Sequence, residues 1–532
     1  MIFEPIAKLS IVVRRQRAHA AALERIILHH HQRDILRRRA PVAAPRRGLR
    51  AQIAALDLAV KRVEVQVRDD AVRRDRARRH SATTDARATV AMSTTSRAIA
   101  TPRIDARARR ARTTRSTRAR ASTEDDGPAT SRRAATLRNE GAYAVLEKVA
   151  ALERRSDAKG AKRVLRLEIG QPGFATPARV CDAAVRAIEG GETKYAAPSG
   201  APRLREAVAE YLVRTRGVAY EAENVVVGPG AKPGLFLPTL ACCDPGDEVV
   251  YPDPGFPTYA AMCAAAGATP RPVPLRSDGA SFDMAALEAS VNEKTKMIVI
   301  NSPGNPTGGV MPREDVAAVA RLAKKFNCWV MSDEIYSRLI YDDEEEGGEN
   351  DEKIFSICAL DGMKERTILV DGFSKTYCMT GWRLGWVACP KHLAEKIKLL
   401  TVHSVGCVAA FTQIAGVEAL TGPQDSVKAM RDEYRVRRDF VVDALNDIPG
   451  ISCPVPKGAF YAFPSFDFPD VTAQELADYL LEDARVALLP GTDFGAAGER
   501  HLRLSYVGEL SDLREAMARI KTSLAKRFPD FV

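Results

Sequence analysis

Five short segments carry the residue types in this chain that can do chemistry. Gly228-Pro229-Gly230-Ala231-Lys232 is a glycine-rich turn opening a helical stretch. Free backbone N–H groups at such a helix start suit a phosphate. Asp253-Pro254-Gly255-Phe256 supplies an acid and an aromatic ring, and Asn301-Ser302-Pro303-Gly304-Asn305-Pro306-Thr307-Gly308 supplies two amides. Ser332-Asp333-Glu334-Ile335-Tyr336 joins a carboxylate to a phenol, and Asp371-Gly372-Phe373-Ser374-Lys375 ends on an amine. Each alone has an ordinary explanation as a turn, a helix cap or a surface lysine.

The elements that must position these segments make the ordinary explanation harder to keep. Short apolar runs occur at 225–227, 248–251, 270–275, 297–300, 328–331, 367–370 and 384–389. Helical stretches separate several of them. One begins at Thr176-Pro177, a capping hydroxyl followed by proline, with Val180, Ala183, Ala184 and Ile188 on one face. Another carries Leu204, Ala207, Val208, Tyr211 and Leu212 at helical spacing. Seven strands alternating with helices predict an α/β fold with a sheet covered on both faces. Helices dominate after about residue 405, where Thr472-Ala473-Gln474-Glu475 reads as a capping box in a smaller α+β domain. Ligands of open α/β sheets bind beyond the carboxyl ends of the strands. All five segments follow predicted strands and so belong at that edge. An amine, an acid and a phenol facing a phosphate-binding helix end are what pyridoxal phosphate requires: a lysine for its aldehyde, a carboxylate for its pyridinium nitrogen and an anchor for its phosphate.

At these residues the chain resembles the class I aminotransferases of fold type I, and is similar within them to the bacterial-type aspartate aminotransferases. The resemblance runs from about Asn139 to Phe528. Its main carrier is Gly372-Phe373-Ser374-Lys375-Thr376-Tyr377-Cys378-Met379-Thr380-Gly381-Trp382-Arg383-Leu384-Gly385. This looks like the family's lysine segment, with the phosphate arginine eight residues after the lysine. Cys378 departs from the smaller or aliphatic residue usual there. Leu167-Glu168-Ile169-Gly170-Gln171-Pro172, Thr193-Lys194-Tyr195, Gly458-Ala459-Phe460-Tyr461 and His501-Leu502-Arg503-Leu504-Ser505 resemble further family motifs, with Gln171 where Glu is common.

The resemblance implies a large domain with a mixed, mostly parallel seven-stranded sheet between helices, plus a smaller α+β domain. It implies that Lys375 carries pyridoxal 5'-phosphate as a Schiff base and then moves a proton as base and acid. Asp333 would hold the ring nitrogen protonated, Tyr336 and Asn305 would bond the phenolic oxygen, and Phe256 would stack on the ring. Arg383 and the backbone of Gly230, Ala231 and Lys232 would hold the phosphate, and Ser374 joins this cofactor-binding set. Tyr195 would reach the phosphate of the neighbouring subunit in a homodimer. Gly170, Asn305 and Arg503 would meet the substrate, Arg503 as a bidentate partner of the α-carboxylate. The implied reaction passes an amino group between an L-amino acid and a 2-oxo acid. Aspartate with 2-oxoglutarate is the first expectation, alanine or an aromatic or prephenate-type substrate the alternative. No second cation for a distal carboxylate can be placed from the sequence. A pyridoxal-phosphate lyase of the same fold, aminocyclopropane-carboxylate synthase-like or β-eliminating, would use the same constellation, and the motifs leave both open.

Composition narrows the partners. The formal net charge of the 532 residues is +11, but residues 1–130 hold 30 Lys+Arg against 13 Asp+Glu, a net of +17. The remainder carries −6, so no nucleic-acid partner is expected. All 10 cysteines lie after residue 180 without C-x-x-C spacing, and His392, His403 and His501 stand far apart, so no metal site is expected. No run approaches the ~18 apolar residues of a membrane span. Segment 92–122 holds nine Arg, ten Ser or Thr and one acid, Asp105, the composition of a transit peptide. The expected address is the plastid, with mitochondrion or cytoplasm as alternatives. Met92 opens this segment and is the expected start, ahead of Met1. The expected organisation is a basic disordered extension over 1–130, a segment 131–175 belonging to the small domain, a cofactor-binding domain over 176–405 and the rest of the small domain over 406–532. The acidic stretch 342–352 is read as a solvated loop.

Overall fold

The computed structural model describes residues 130–137, 140–155, 162–341 and 353–531. The 92–122 segment, Met92 and the acidic stretch 342–352 lie outside the described residues. Every one of the seven apolar runs forms a strand: β1 (Val225–Gly228), β2 (Glu248–Asp253), β3 (Thr269–Pro274), β4 (Thr295–Asn301), β5 (Trp329–Asp333), β6 (Thr367–Gly372) and β7 (Gly385–Ala388). They form one sheet in the order β1-β7-β6-β5-β4-β2-β3. β7 runs antiparallel to both neighbours, and the remaining pairs are parallel. The reversal has a functional consequence. Six strands bring their carboxyl ends to one edge, and β7 brings its beginning there.

The strands other than β3 are largely apolar because alternate residues enter cores on opposite faces, whereas the edge strand β3 buries only Val273. Val225, Val227, Leu369, Trp386 and Ala388 pack under helices Ala178–Glu189, Pro202–Arg216 and Ala410–Thr421. Val226, Ile368, Val370, Val387, Met297 and Met331 pack under Lys232–Cys242, Thr258–Ala266 and Lys391–Val402. A separate core gathers Leu165 and Leu167 with side chains from Met430 to Leu524, and Ile335, Tyr336 and Leu339 reach into it from the end of β5. The Thr472 capping box is formed, its side chain accepting from Glu475 N–H. Among the described residues no helix is long and apolar enough to cross a membrane.

Two local expectations change. Thr176 does not cap its helix. Pro177 occupies the cap position, and the Thr176 hydroxyl donates to the Cys378 carbonyl at 2.7 Å and accepts from Trp382 Nε1 at 3.1 Å. Ile188 is half exposed, the buried face being Val180, Ala183, Ala184 and Ala187.

Candidate active site

The carboxyl edge of the sheet collects most of the predicted groups. β6 ends at Gly372, and the chain turns so that the part-buried Lys375 directs its Nζ to the Gly170 carbonyl. The same amine lies 5.9 Å over the Tyr336 ring and 5.7 Å over that of Phe460. An ammonium here is penalised first by burial, then by Arg503, Arg383 and Lys232, while Asp333 opposes them. The balance lowers the pKa to about 8. About a tenth of Lys375 is therefore a free amine at about pH 7, far more than for an ordinary lysine.

Asp333 ends β5, the strand beside β6, and is buried. Burial is the largest influence on its carboxyl and raises the pKa to about 6, against the hydrogen bond from Tyr259 and the Ile335 N–H. Tyr259 OH donates to Asp333 Oδ2 at 2.8 Å. Asn301, at the end of β4, donates its amide to the Asp333 carbonyl at 2.9 Å and accepts from Asn305 N–H at 2.9 Å. One side chain thus joins the β4 turn to the main chain at the end of β5. Tyr336 OH shares a 2.8 Å hydrogen bond with Tyr461 OH.

Arg503 comes from the strand Leu502–Ser505 and is buried. Its Nη1 donates to Asn305 Oδ1 at 3.3 Å and its Nη2 to the Glu168 carbonyl, while Nε is buried without a hydrogen-bond partner. The guanidinium lies 4.6 Å over the Tyr461 ring. A buried cation with unspent donors beside an amide suits a carboxylate ligand.

The Gly230 turn and Arg383 meet at the start of a helix. Helix Lys232–Cys242 starts after Ala231 with no side-chain cap, which leaves its first N–H groups free for an anion. Gly230 has φ +94°, and a Cβ there would stand 2.4 Å from Arg383 Nη2. Arg383 precedes β7, so the reversed strand delivers it to this edge; it adopts φ +53° and donates to the carbonyls of Thr380 at 2.7 Å and Pro229 at 3.3 Å. Lys232 pairs with Glu140 and lies 5.4 Å from the Phe256 ring, whose edge meets Tyr259 at 5.9 Å between centroids. Lysine, acid, aromatic plate and glycine-relieved anion cradle together fit pyridoxal phosphate.

Two predicted segments are used differently from the rest. The Asp253 carboxylate turns to the Ala497 N–H at 3.2 Å and secures that turn. Tyr195 is fully exposed on this chain. Sequence reasoning missed Tyr259 and Asn301 as partners of Asp333, and left Tyr461 without a role. For Tyr259 the available signal was its spacing of three from Phe256 at a helix start.

Residues 162–520 match the family described as aminotransferase class I and II. The chain is 40 % identical over 364 residues to an aspartate aminotransferase of Pyrococcus horikoshii, an alignment covering 68 % of this chain and 90 % of that one. It is 41 % identical over 362 residues to a probable aspartate/prephenate aminotransferase of Aquifex aeolicus, covering 67 % and 89 % respectively. Among solved structures, the aspartate aminotransferase of Thermus thermophilus with maleate superposes at TM-score 0.69 and 35 % identity, over 75 % of this chain and 100 % of that one.

Proposed function

The chain belongs to the class I and II aminotransferases, a pyridoxal-phosphate-dependent enzyme family, and from that premise we propose that it exchanges amino groups between aspartate, or a closely similar L-amino acid, and 2-oxoglutarate. The observation that carries this reading is Lys375: a half-buried amine lowered to about 8, set between Asp333 and the Arg383–Gly230 cradle.

Bound pyridoxal phosphate supplies an electron-accepting ring. Lys375 would hold it, and once displaced by substrate would move the proton at the substrate α-carbon as base and then acid. Asp333, kept anionic by Tyr259 and the Ile335 N–H, would keep the ring nitrogen protonated. Asn305 and Tyr336, the latter oriented by Tyr461, would meet the phenolic oxygen. Phe256 would cover one ring face. Arg383, Ser374 and the N–H groups of Gly230, Ala231 and Lys232 would hold the phosphate. Arg503, beside Asn305 and near Gly170, would pair with the α-carboxylate.

An acidic donor is read from the relatives, because Lys232, the third cation acting on Lys375 after the two arginines, is already paired with Glu140. The relatives named for aspartate, one of them solved with the dicarboxylate maleate, support the same choice. An aromatic or prephenate-type acceptor is the second reading, favoured by the Aquifex aeolicus relative. A donor screen followed by half-reaction spectra tests both. A transaminase converts the bound cofactor to its amine form, whereas a lyase regenerates the starting spectrum and releases product.

The exposed Tyr195 supports a homodimer in which it completes the partner's phosphate site. The core shared by Leu165 and Leu167 with the C-terminal residues supports assigning 131–175 to the small domain beside 406–532, with 176–405 as the large domain, while Arg133 and Glu140 at the start of that segment bond to Ala265 and Lys232 of the large one. The composition of 92–122 supports plastid import, which a fusion of that segment to a fluorescent protein tests directly.

A further inference from the structure

Behind these groups lies a buried charge cluster that takes no part in holding a ligand. Arg216 is the last residue of helix Pro202–Arg216, and its side chain is fully buried. Its Nε donates to Glu334 Oε2 at 3.1 Å and its Nη1 to Thr215 Oγ1 at 2.9 Å. Its Nη2 donates to both Ser337 Oγ and Asp371 Oδ2 at 2.9 Å. The other oxygen of Glu334 accepts from Ser332 Oγ at 2.9 Å and from Ser356 Oγ, and the other oxygen of Asp371 accepts from Gly372 N–H at 2.7 Å. The carboxylates are saturated, so this is a brace and not an empty site.

Its position explains what it braces. Glu334 directly follows Asp333, and Asp371 precedes Lys375 by four residues. The two strands are neighbours, Asp333 pairs with Val370, and Glu334 N–H donates to the Val370 carbonyl at 2.8 Å. Beyond that bond β5 and β6 are no longer paired; β6 stays tied to β7 through Gly372 and the Phe373 N–H, and Arg216 links the Asp333 segment to the Lys375 segment past the end of their shared ladder. A pyridine aldehyde presents its nitrogen and its aldehyde carbon on opposite sides of the ring. Both can be engaged at once only if the carboxylate and the amine keep one separation. A guanidinium fork holds two carboxylates in fixed directions, which an ammonium cannot do. Stability alone is a weak reason for such a cluster, because well-packed apolar replacements of buried ion pairs are often neutral or better.

We propose that Arg216 is a positioning residue that fixes the separation of Asp333 and Lys375 by bridging Glu334 and Asp371. The inference rests on the pyridoxal-phosphate reading above.

The test is Arg216→Met in the full chain. Melting temperature is measured with and without pyridoxal phosphate, together with cofactor affinity, donor KM and kcat per bound cofactor. The expected result is a smaller melting increment on adding cofactor and a weaker affinity. A misplacement of reacting groups by about an ångström should lower kcat per bound cofactor on the order of 10²-fold. The donor KM should stay within about two-fold, since Arg503 is untouched. A merely structural Arg216 would lower both melting temperatures equally and leave affinity and kcat per bound cofactor unchanged, and that result overturns the proposal. Should Arg216→Met not fold, Asp371→Asn keeps an acceptor for Gly372 N–H while removing the Arg216 anchor, and is judged by the same shifts. If the wild type itself takes up no pyridoxal phosphate, the function reading and this inference both fall. If it does and the variants match it, this inference alone falls.

Discussion

Tyr259→Phe tests whether neighbours hold the buried Asp333 as an anion. Phenylalanine fills the same ring space, so the change deletes the 2.8 Å hydrogen bond to Asp333 Oδ2 and little packing. A hydrogen bond to a charged group contributes about 1.5–3 kcal/mol. One pKa unit corresponds to about 1.4 kcal/mol, so the loss raises Asp333 by roughly one to two units. From about 6 in the cofactor-free protein it would reach between about 7 and 8. The ring nitrogen needs the carboxylate ionised, so cofactor binding to the variant must expel a proton. At about pH 7 this weakens binding by roughly two-fold for a pKa of about 7 and by roughly ten-fold for about 8. The assay is a fluorescence titration of pyridoxal phosphate on both proteins from about pH 5 to about 9. Ionisations of the cofactor and of Lys375 are common to both proteins and cancel in the ratio of dissociation constants. That ratio should be near one at the alkaline end and grow as pH falls. A ratio near one throughout would refute the reasoning. Stability carries the same sign. A carboxyl lifted above its unfolded value of 3.8 loses its contribution as pH rises, so the cofactor-free protein should weaken from about pH 4 through about 6, and the variant should go on weakening to between about 7 and 8.

Other outcomes follow from the same geometry. Lys375→Ala should lose the visible cofactor band and nearly all turnover; a variant that kept wild-type turnover would remove the central assignment. In the wild type, the rate of cofactor capture should rise with pH through about 8, because the free amine is the attacking form, and a pH-independent rate would contradict the lowered pKa. Arg503→Ala should raise KM for every amino acid and oxo acid, by roughly 30-fold or more for a buried charged partner worth about 2–5 kcal/mol, with the cofactor spectrum intact. Loss of cofactor at unchanged KM would move Arg503 to the phosphate or the fold. Mixing Tyr195→Phe with Lys375→Ala subunits should create dimers with one doubly defective site and one intact site that recovers wild-type turnover. No such recovery is expected if Tyr195 serves its own subunit.

The seven strands and the lysine segment were legible in the sequence because their signals are local. A strand buried on both faces reads as a contiguous apolar run, and runs such as 297–300 and 367–370 could be placed within a residue or two of their ends. The reactive groups follow those runs directly, so Asp333 and Lys375 could be assigned to one sheet edge before any pairing was known. Pairing itself is not local. Nothing around 384–389 says that β7 runs backwards, yet that reversal delivers Arg383 to the Gly230 turn. Thr176 looked like a cap because its neighbours fit one, and it was claimed instead by Cys378 and Trp382, more than 200 residues away. Tyr259 finds Asp333 across 74 residues, and Arg216 finds Asp371 across 155. A buried hydrogen bond depends on which surfaces are brought together away from water. Sequence spacing therefore determined the strands and the chemical inventory of this protein, and only the tertiary structure decided which buried partner holds each reactive group.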